Sequence, residues 1–343
     1  MIDALCKEII IQKDYLHHKE IKTIYFGGGT PSLLEKKELQ KILGVIQANF
    51  SVSKDAEITM EVNPDDLSTE KLDSIIQNGI NRLSIGIQSF NDDFLTFFNR
   101  AHNAQMAQDS VKNARSTGFE NISVDLIFGI PNQSTGQFEN DLKKIIALDT
   151  EHISIYGLTI EEKTVFGKWL DTNKIRPIDD EVAAAQLEMI MSELPKAGFR
   201  QYEISSFSKP NFESKHNSNY WTQEYYLGIG PSAHSYNGIS RQGNASNNAK
   251  YISSIRNGKV PFDLEMLDRS QKINEHILTR IRTLDGISLN QLKTQFDFDF
   301  VEEFKKEIKN FVDLGLVVAD NNLYLTQKGK FVADSITESF MID

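Results

Sequence analysis

Lys22-Thr-Ile-Tyr-Phe-Gly-Gly-Gly-Thr-Pro31 carries two signals in one short stretch. Its β-branched and aromatic start predicts a strand. Its three glycines before a proline predict a turn with bare backbone. The pattern recurs along the chain. Glu57-Ile-Thr-Met-Glu-Val62 stops at Asn63-Pro64, and Arg82-Leu-Ser-Ile-Gly-Ile87 runs into Gln88-Ser89. Ile122-Ser-Val-Asp-Leu-Ile-Phe128 ends at Gly129-Ile-Pro131, and His152-Ile-Ser-Ile-Tyr156 leads towards Thr159. These strands start 25 to 40 residues apart, with amphipathic segments at 36–49, 69–78, 104–117 and 135–148 between them. Ser68 and Asn103 read as N-caps, Gly79 and Gly118 as stops. Strand, helix and strand at this period mean βαβ units and a parallel sheet, open or closed into a barrel. A helical pattern at 2–18 precedes the first strand, so the chain reads as beginning one βα unit late.

Beyond Thr159 the period changes. Residues 179–197 form a helix pattern, followed by Gly198 and a strand-like Gln201-Tyr-Glu-Ile-Ser-Ser-Phe207. The aromatic, Asn- and Gly-rich stretch 215–248 is 34 residues long with few helix signals, and connections of that length are commonly functional. A boundary near Pro261 divides a first domain, 1–262, from a second, 263–343. In the second, helices precede Leu316-Val-Val318, a turn at Asn321-Asn322 and Leu323-Tyr-Leu325, a winged-helix-like α+β order. From Glu265 to Asp343 there are 10 basic and 14 acidic residues, a net of −4.

The whole chain has 343 residues and a formal net charge of −11. Its acidity argues against a nucleic-acid surface, both overall and in the second domain. No apolar run is long enough for a spanning helix and the start is no signal peptide, so a cytoplasmic protein is expected. Cys6 is the single cysteine, too few for an internal disulfide or a cysteine-based metal site.

In parallel barrels the chemistry sits at the carboxyl ends of the strands. The glycine run lacks both the phosphate-loop Lys-Ser/Thr and the dinucleotide-binding spacing, and alone it reads first as a tight turn. Glu61 taken alone is a strand-end charge reaching water. Asp125 interrupts an apolar strand and needs a partner or a site; Arg100, in Asn99-Arg-Ala-His102, is a possible guanidinium. Together these residues describe a polar rim able to hold a zwitterion bearing a diol.

Tyr25-Phe-Gly-Gly-Gly-Thr-Pro-Ser-Leu-Leu34, Glu61-Val-Asn-Pro64, Arg82-Leu-Ser-Ile-Gly-Ile-Gln-Ser-Phe90, Asn99-Arg-Ala-His102 and Asp125-Leu-Ile-Phe-Gly-Ile-Pro131 closely resemble the radical S-adenosylmethionine proteins related to oxygen-independent coproporphyrinogen III oxidase. Tyr202-Glu-Ile-Ser205, Lys215-His-Asn-Ser-Asn-Tyr-Trp221 and Leu227-Gly-Ile-Gly-Pro-Ser-Ala-His234 resemble its haem-chaperone branch, the HemW-type proteins. The resemblance spans the chain from about Ile2, with weaker motifs after Pro261. It implies an α/β fold: an incomplete parallel (β/α)6 barrel, here missing its first strand, plus a small C-terminal domain. It also implies an S-adenosylmethionine pocket at Gly28, Gly29, Thr30, Glu61, Gln88, Arg100, Asp125 and Thr159. The family's cysteine triad, which binds a [4Fe–4S] cluster, has no counterpart here, so the cluster is expected in the complete family protein only.

His216 is a candidate haem-iron ligand, with Tyr220 and Trp221 offering flat apolar surface. The plainer reading is a loop histidine bonded to backbone. His234 is either structural or a second axial ligand. His17 and His18 read as solvated, and His102, His152 and His276 have no evident partner. The resemblance therefore implies a haem-binding and haem-transferring chaperone, with haem and a haem-accepting protein as partners and radical chemistry not expected. Two alternatives stand beside it: a coproporphyrinogen III oxidase, and a degenerate barrel that binds ligands without a cluster.

Overall fold

The structure, a computed structural model, describes residues 1–17 and 19–343; His18 lies outside the described residues. Seven strands form the main sheet in the order β1-β2-β3-β4-β5-β7-β6. They are β1 (Ile21–Phe26), β2 (Val52–Val62), β3 (Arg82–Gln88), β4 (Ile122–Phe128), β5 (His152–Gly157), β6 (Arg200–Glu203) and β7 (Ser206–Ser208). The pairs β2–β3, β3–β4 and β4–β5 are parallel, whereas β7 runs antiparallel to both β5 and β6. This is the parallel-dominated half-barrel class expected from the βα period.

Successive side chains on a strand point to opposite faces. Met60, Val62, Leu83, Ile85, Ile87, Ile122, Val124, Leu126, Ile153 and Ile155 bury one face. The alternate positions are polar: Thr59 and Glu61, Arg82 and Ser84, Ser123 and Asp125, His152 and Ser154. The apolar set provides the burial that holds the sheet, about 2 kcal/mol for each large side chain. The polar set lines the face that carries the candidate site.

Three sequence expectations are corrected. The opening helix stops at Ile11, not at residue 18, and His17, at φ +51° in the following turn, is exposed. The segment 201–207 is a hairpin rather than one strand. Gln201 Nε2 donates to the Ile204 carbonyl at 2.9 Å and the Ser205 N–H donates to Glu203 at 3.0 Å, closing a tight turn inside the run. The stretch 215–248 is no open loop, because it contains a helix, Lys215–Trp221, and strands β8 (His234–Tyr236) and β9 (Ser240–Asn244). The start of that helix is tied to a distant strand. Its first N–H groups, of Lys215 and His216, donate to the two carboxylate oxygens of Glu57 at 3.1 and 2.9 Å. That carboxylate lies 158 residues away in sequence, so this contact is not readable from the local stretch.

Two compact units arise, Met1–Ile24 with Leu34–Glu57 and Lys215–Asp343, and Tyr25–Leu33 with Ile58–Ser214. In the first, β8 and β9 join β10 (Phe262–Met266) in an antiparallel sheet. Buried Glu8 ties the opening helix to this region by accepting from Gly230 N–H, Asn244 Nδ2, Gln12 Nε2 and the Tyr251 hydroxyl. Near the C-terminus helices precede a small sheet ordered β11 (Ile287–Ser288), β13 (Asn322–Leu325), β12 (Val317–Ala319), around a phenylalanine cluster of Phe298, Phe300, Phe304 and Phe340. This is the winged-helix-like order read from the sequence.

Candidate functional site

The glycine turn after β1 is fixed by its neighbours. A Cβ on Gly27 would stand 2.5 Å from the Tyr25 ring and 2.9 Å from Glu61 Oε1, so no side chain fits there. Gly28 and Gly29 take φ +74° and +65° with open space where a Cβ would point, a surface a ligand can approach. Glu61 organises the turn: Oε1 accepts from the Tyr25 hydroxyl at 2.8 Å and Oε2 from the Gly28 N–H at 3.1 Å. Ser32 donates to Asp66 at 2.5 Å and pins the far end of the turn. Thr30 is half-buried, and its carbonyl accepts from Leu33 N–H at 3.1 Å.

At the end of β3 a bulge puts Gln88 at φ +70°. An added Cβ on Gly86 would lie 3.0 Å from Gln88 Nε2, 3.8 Å from Arg100 Nη2 and 3.9 Å from Asn63 Oδ1, so three polar side chains converge over this glycine. Arg100 Nη1 donates to Asn63 Oδ1 at 3.0 Å. Asp125 accepts from Ser84 at 3.5 Å and from Ser154, its register partner on β5. Burial pushes the Asp125 carboxyl up to about 7, the nearby Glu61 charge adds to the rise, and Arg82 opposes it. Arg100 also acts electrostatically on Asp125, and burial works against its own charge.

Glu61, Gln88, Arg100 and Asp125 thus face one region together with Gly28 and Gly29. Thr159 stands exposed beyond β5. Sequence reasoning missed Tyr25, Asn63, Ser84 and Ser154. Their signal was present as the polar alternates of apolar strands and as the residue two places before Gly27.

The helix Lys215–Trp221 forms the second region. His216 bonds through both ring nitrogens, Nδ1 with the Thr23 hydroxyl at 3.0 Å and Nε2 with the Tyr220 hydroxyl at 3.1 Å. Its ring meets Tyr220 edge-on at 5.2 Å, and Tyr220 meets Tyr226 at 4.8 Å. Tyr220 is exposed and Trp221 half-buried; the Trp221 indole N–H has no acceptor among the described residues. The remaining histidines acquire partners that sequence did not reveal. His102 Nε2 meets the Ile87 carbonyl at 3.1 Å, His152 lies between Ser123 and Tyr202 at 2.8 Å each, and His276 Nδ1 meets Gln223 at 3.2 Å. Burial holds His276 down to about 4 and His152 well below the usual imidazole range. His234 is exposed at the start of β8.

A parallel half-barrel with a glycine turn and carboxylates at its strand ends is the architecture of radical S-adenosylmethionine proteins, and the comparisons agree. Residues 5–145 match the radical SAM superfamily and residues 267–332 the HemN C-terminal domain. The protein named Heme chaperone HemW of Bacillus subtilis (strain 168) is 35% identical over 343 residues, covering 99% of this chain and 90% of that protein. The Heme chaperone HemW of Lactococcus lactis subsp. lactis (strain IL1403) is 32% identical over 343 residues, with 100% and 90% covered. The solved coproporphyrinogen III oxidase (HemN) from Escherichia coli, a radical SAM enzyme, superposes with a TM-score of 0.83 at 23% identity over 98% of this chain and 82% of that chain, which shows the fold. The chain belongs to the HemW family.

Superfamily membership implies S-adenosylmethionine and a [4Fe–4S] cluster. The open glycine surface and the convergent Glu61, Gln88, Arg100 and Asp125 fit the first. Cys6 is buried in the opening helix, and among the described residues no group of three or more His, Cys, Asp or Glu stands together as a metal site. The described side chains therefore do not fit a cluster. Among them, too, no helix is long and apolar enough to cross a membrane.

Proposed function

We propose that this protein is a cytoplasmic haem chaperone: it binds haem at the helix Lys215–Trp221 and passes it to a haem-accepting protein. The observation that carries this reading is His216, an imidazole bonded at Nδ1 to Thr23 and presenting Nε2 among aromatic rings. With the proton on Nδ1, the Nε2 lone pair accepts from the Tyr220 hydroxyl and would pass to iron once that hydroxyl is displaced, and Tyr220 and Trp221 supply flat surface for the macrocycle. The family name of the relatives points the same way.

In this reading Gly28, Gly29, Thr30, Glu61, Gln88, Arg100, Asp125 and Thr159 form the S-adenosylmethionine pocket, and residues 263–343 are the C-terminal domain that follows 1–262. When bound beside a cluster, S-adenosylmethionine supplies one-electron chemistry in this superfamily. This chain's residues bind and orient it. Arg100 suits its carboxylate, and Glu61 and Asp125 suit ribose hydroxyls or the ammonium.

Haem titration followed by the Soret band tests the proposal. Wild type sharpens and shifts the band. His216→Ala alters the spectrum or weakens binding, and Trp221→Ala weakens binding with the spectrum kept, since it removes apolar contact and leaves the ligand. Haem binding indifferent to both substitutions would refute the haem site. Anaerobic decarboxylation of coproporphyrinogen III by the complete protein would favour the oxidase reading.

A further inference from the structure

In the first unit, β10 pairs with β9 on one side, and among the described residues no strand flanks it on the other. Ala245 N–H donates to the Pro261 carbonyl and Leu267 N–H to the Ile239 carbonyl. In an antiparallel ladder such bonded positions alternate, so Asp263 and Glu265 turn their backbone groups to β9. The N–H and C=O groups of Phe262, Leu264 and Met266 face outward, and no hydrogen bond among the described residues takes them up.

All five residues of β10 are exposed. Phe262, Leu264 and Met266 are 43%, 57% and 61% exposed, although their register partners Asn244, Gln242 and Ser240 are buried. Cross-strand partners share a face, so a covered layer runs out onto the edge strand and stops bare. Asp263 and Glu265 stand on the opposite face. Glu265 accepts from Gln271 Nε2 at 3.0 Å, and Arg241, its register partner, is ion-paired with Glu275 instead. An open edge of this kind accepts a further strand through its free backbone groups. A second copy fits poorly. Antiparallel pairing about Leu264 would set Asp263 of one chain against Glu265 of the other, twice, and like charges directly opposite are destabilising. A strand with cations at those places gains where a copy loses.

We infer that β10 is a docking edge for an extended segment of another protein in which apolar residues alternate with Lys or Arg. The apolar row lies beside Phe262, Leu264 and Met266, the basic row beside Asp263 and Glu265. The edge shares no residue with the strand-end pocket or the helix Lys215–Trp221, and the inference does not depend on the haem reading.

Fluorescence anisotropy with three labelled octapeptides tests it: lysine alternating with valine, glutamate alternating with valine, and a lysine block followed by a valine block. The alternating lysine peptide should bind about tenfold more tightly than either of the others, the effect of two cross-strand charge pairs together with the apolar row. Leu264→Pro removes an outward N–H and spares the bonds to β9; it should weaken that binding about fivefold, the loss of one hydrogen bond. Asp263→Lys with Glu265→Lys should exchange the preference between the two alternating peptides. Both changes lie on exposed side chains, so this variant decides if the proline variant fails to fold. Equal binding of the alternating and block lysine peptides would mean general attraction to an acidic chain and overturn the edge, as would a preference untouched by charge reversal. A dimer in sedimentation equilibrium that Leu264→Pro dissociates would give the edge to a second copy and overturn the inference as well.

Discussion

Glu61 and His216 each sit at the centre of a polar group and each is bonded through both of its polar atoms, yet the consequences differ. Each carboxylate oxygen has two lone pairs. Glu61 accepts one bond on each oxygen, from Tyr25 and Gly28, so it is held rigidly and can still accept from a ligand. An imidazole nitrogen has one bonding direction, and Thr23 and Tyr220 use both. The strand-end region is preorganised for a guest, whereas the helix region must exchange an internal bond for one. Binding at the first should be governed by charge and hydrogen-bond count, at the second by the ease of displacement.

The largest effect is expected within the strand-end region, at Asp125. The folded-state value of Asp125, about 7, lies above its ordinary 3.8. Over that window the folded state binds the proton more tightly than the unfolded chain does. Stability therefore falls as pH rises from about 4 to about 7 and levels off above. Asp125→Asn should remove that slope, worth roughly 2–4 kcal/mol across the window. Denaturant midpoints of both proteins between pH 4 and 8 measure it. Equal slopes would show that Asp125 is solvated and that burial does not hold its proton.

Arg100 is next. Its Nη1 is spent on Asn63, and in the proposed pocket its remaining N–H groups would meet the ligand's carboxylate. Arg100→Ala should weaken S-adenosylmethionine binding by about 1.5–3 kcal/mol, roughly 10- to 150-fold, measured by equilibrium dialysis. Unchanged affinity would remove the ligand's carboxylate from this residue and leave Glu61 and Asp125 as the organisers of the pocket.

The two regions also differ in how much of them the sequence made legible. The strand ends were readable because period-2 alternation and glycine turns are local properties; the span Ile122–Phe128 and the polar alternates Glu61 and Asp125 followed directly. The helix Lys215–Trp221 is only seven residues long and two of its N–H groups bond to distant Glu57, and Tyr220 as a partner of His216 depended on that helix placing residues four apart on one face. The hairpin at 200–208 was misread for a related reason: its turn is closed by side chains of Gln201 and Glu203, not by glycine or proline.

The smallest predicted effect tests the helix side of the contrast most directly. Tyr220 contributes in two ways with opposite signs. Its ring adds apolar surface for a porphyrin, and its hydroxyl occupies His216 Nε2 at 3.1 Å, where iron would bind. Tyr220→Phe keeps the ring and removes the hydroxyl. The imidazole is then released without loss of contact area, and haem affinity should rise by about fivefold, the equivalent of one neutral hydrogen bond near 1 kcal/mol. The faster step should be association, because the free protein no longer has to break the phenol bond first. Stopped-flow haem binding to wild type, Tyr220→Phe and Tyr220→Ala separates the two contributions, the alanine variant losing the surface as well. Weaker binding by the phenylalanine variant would mean that the hydroxyl contacts haem itself, and the helix region would then be as preorganised as the strand ends.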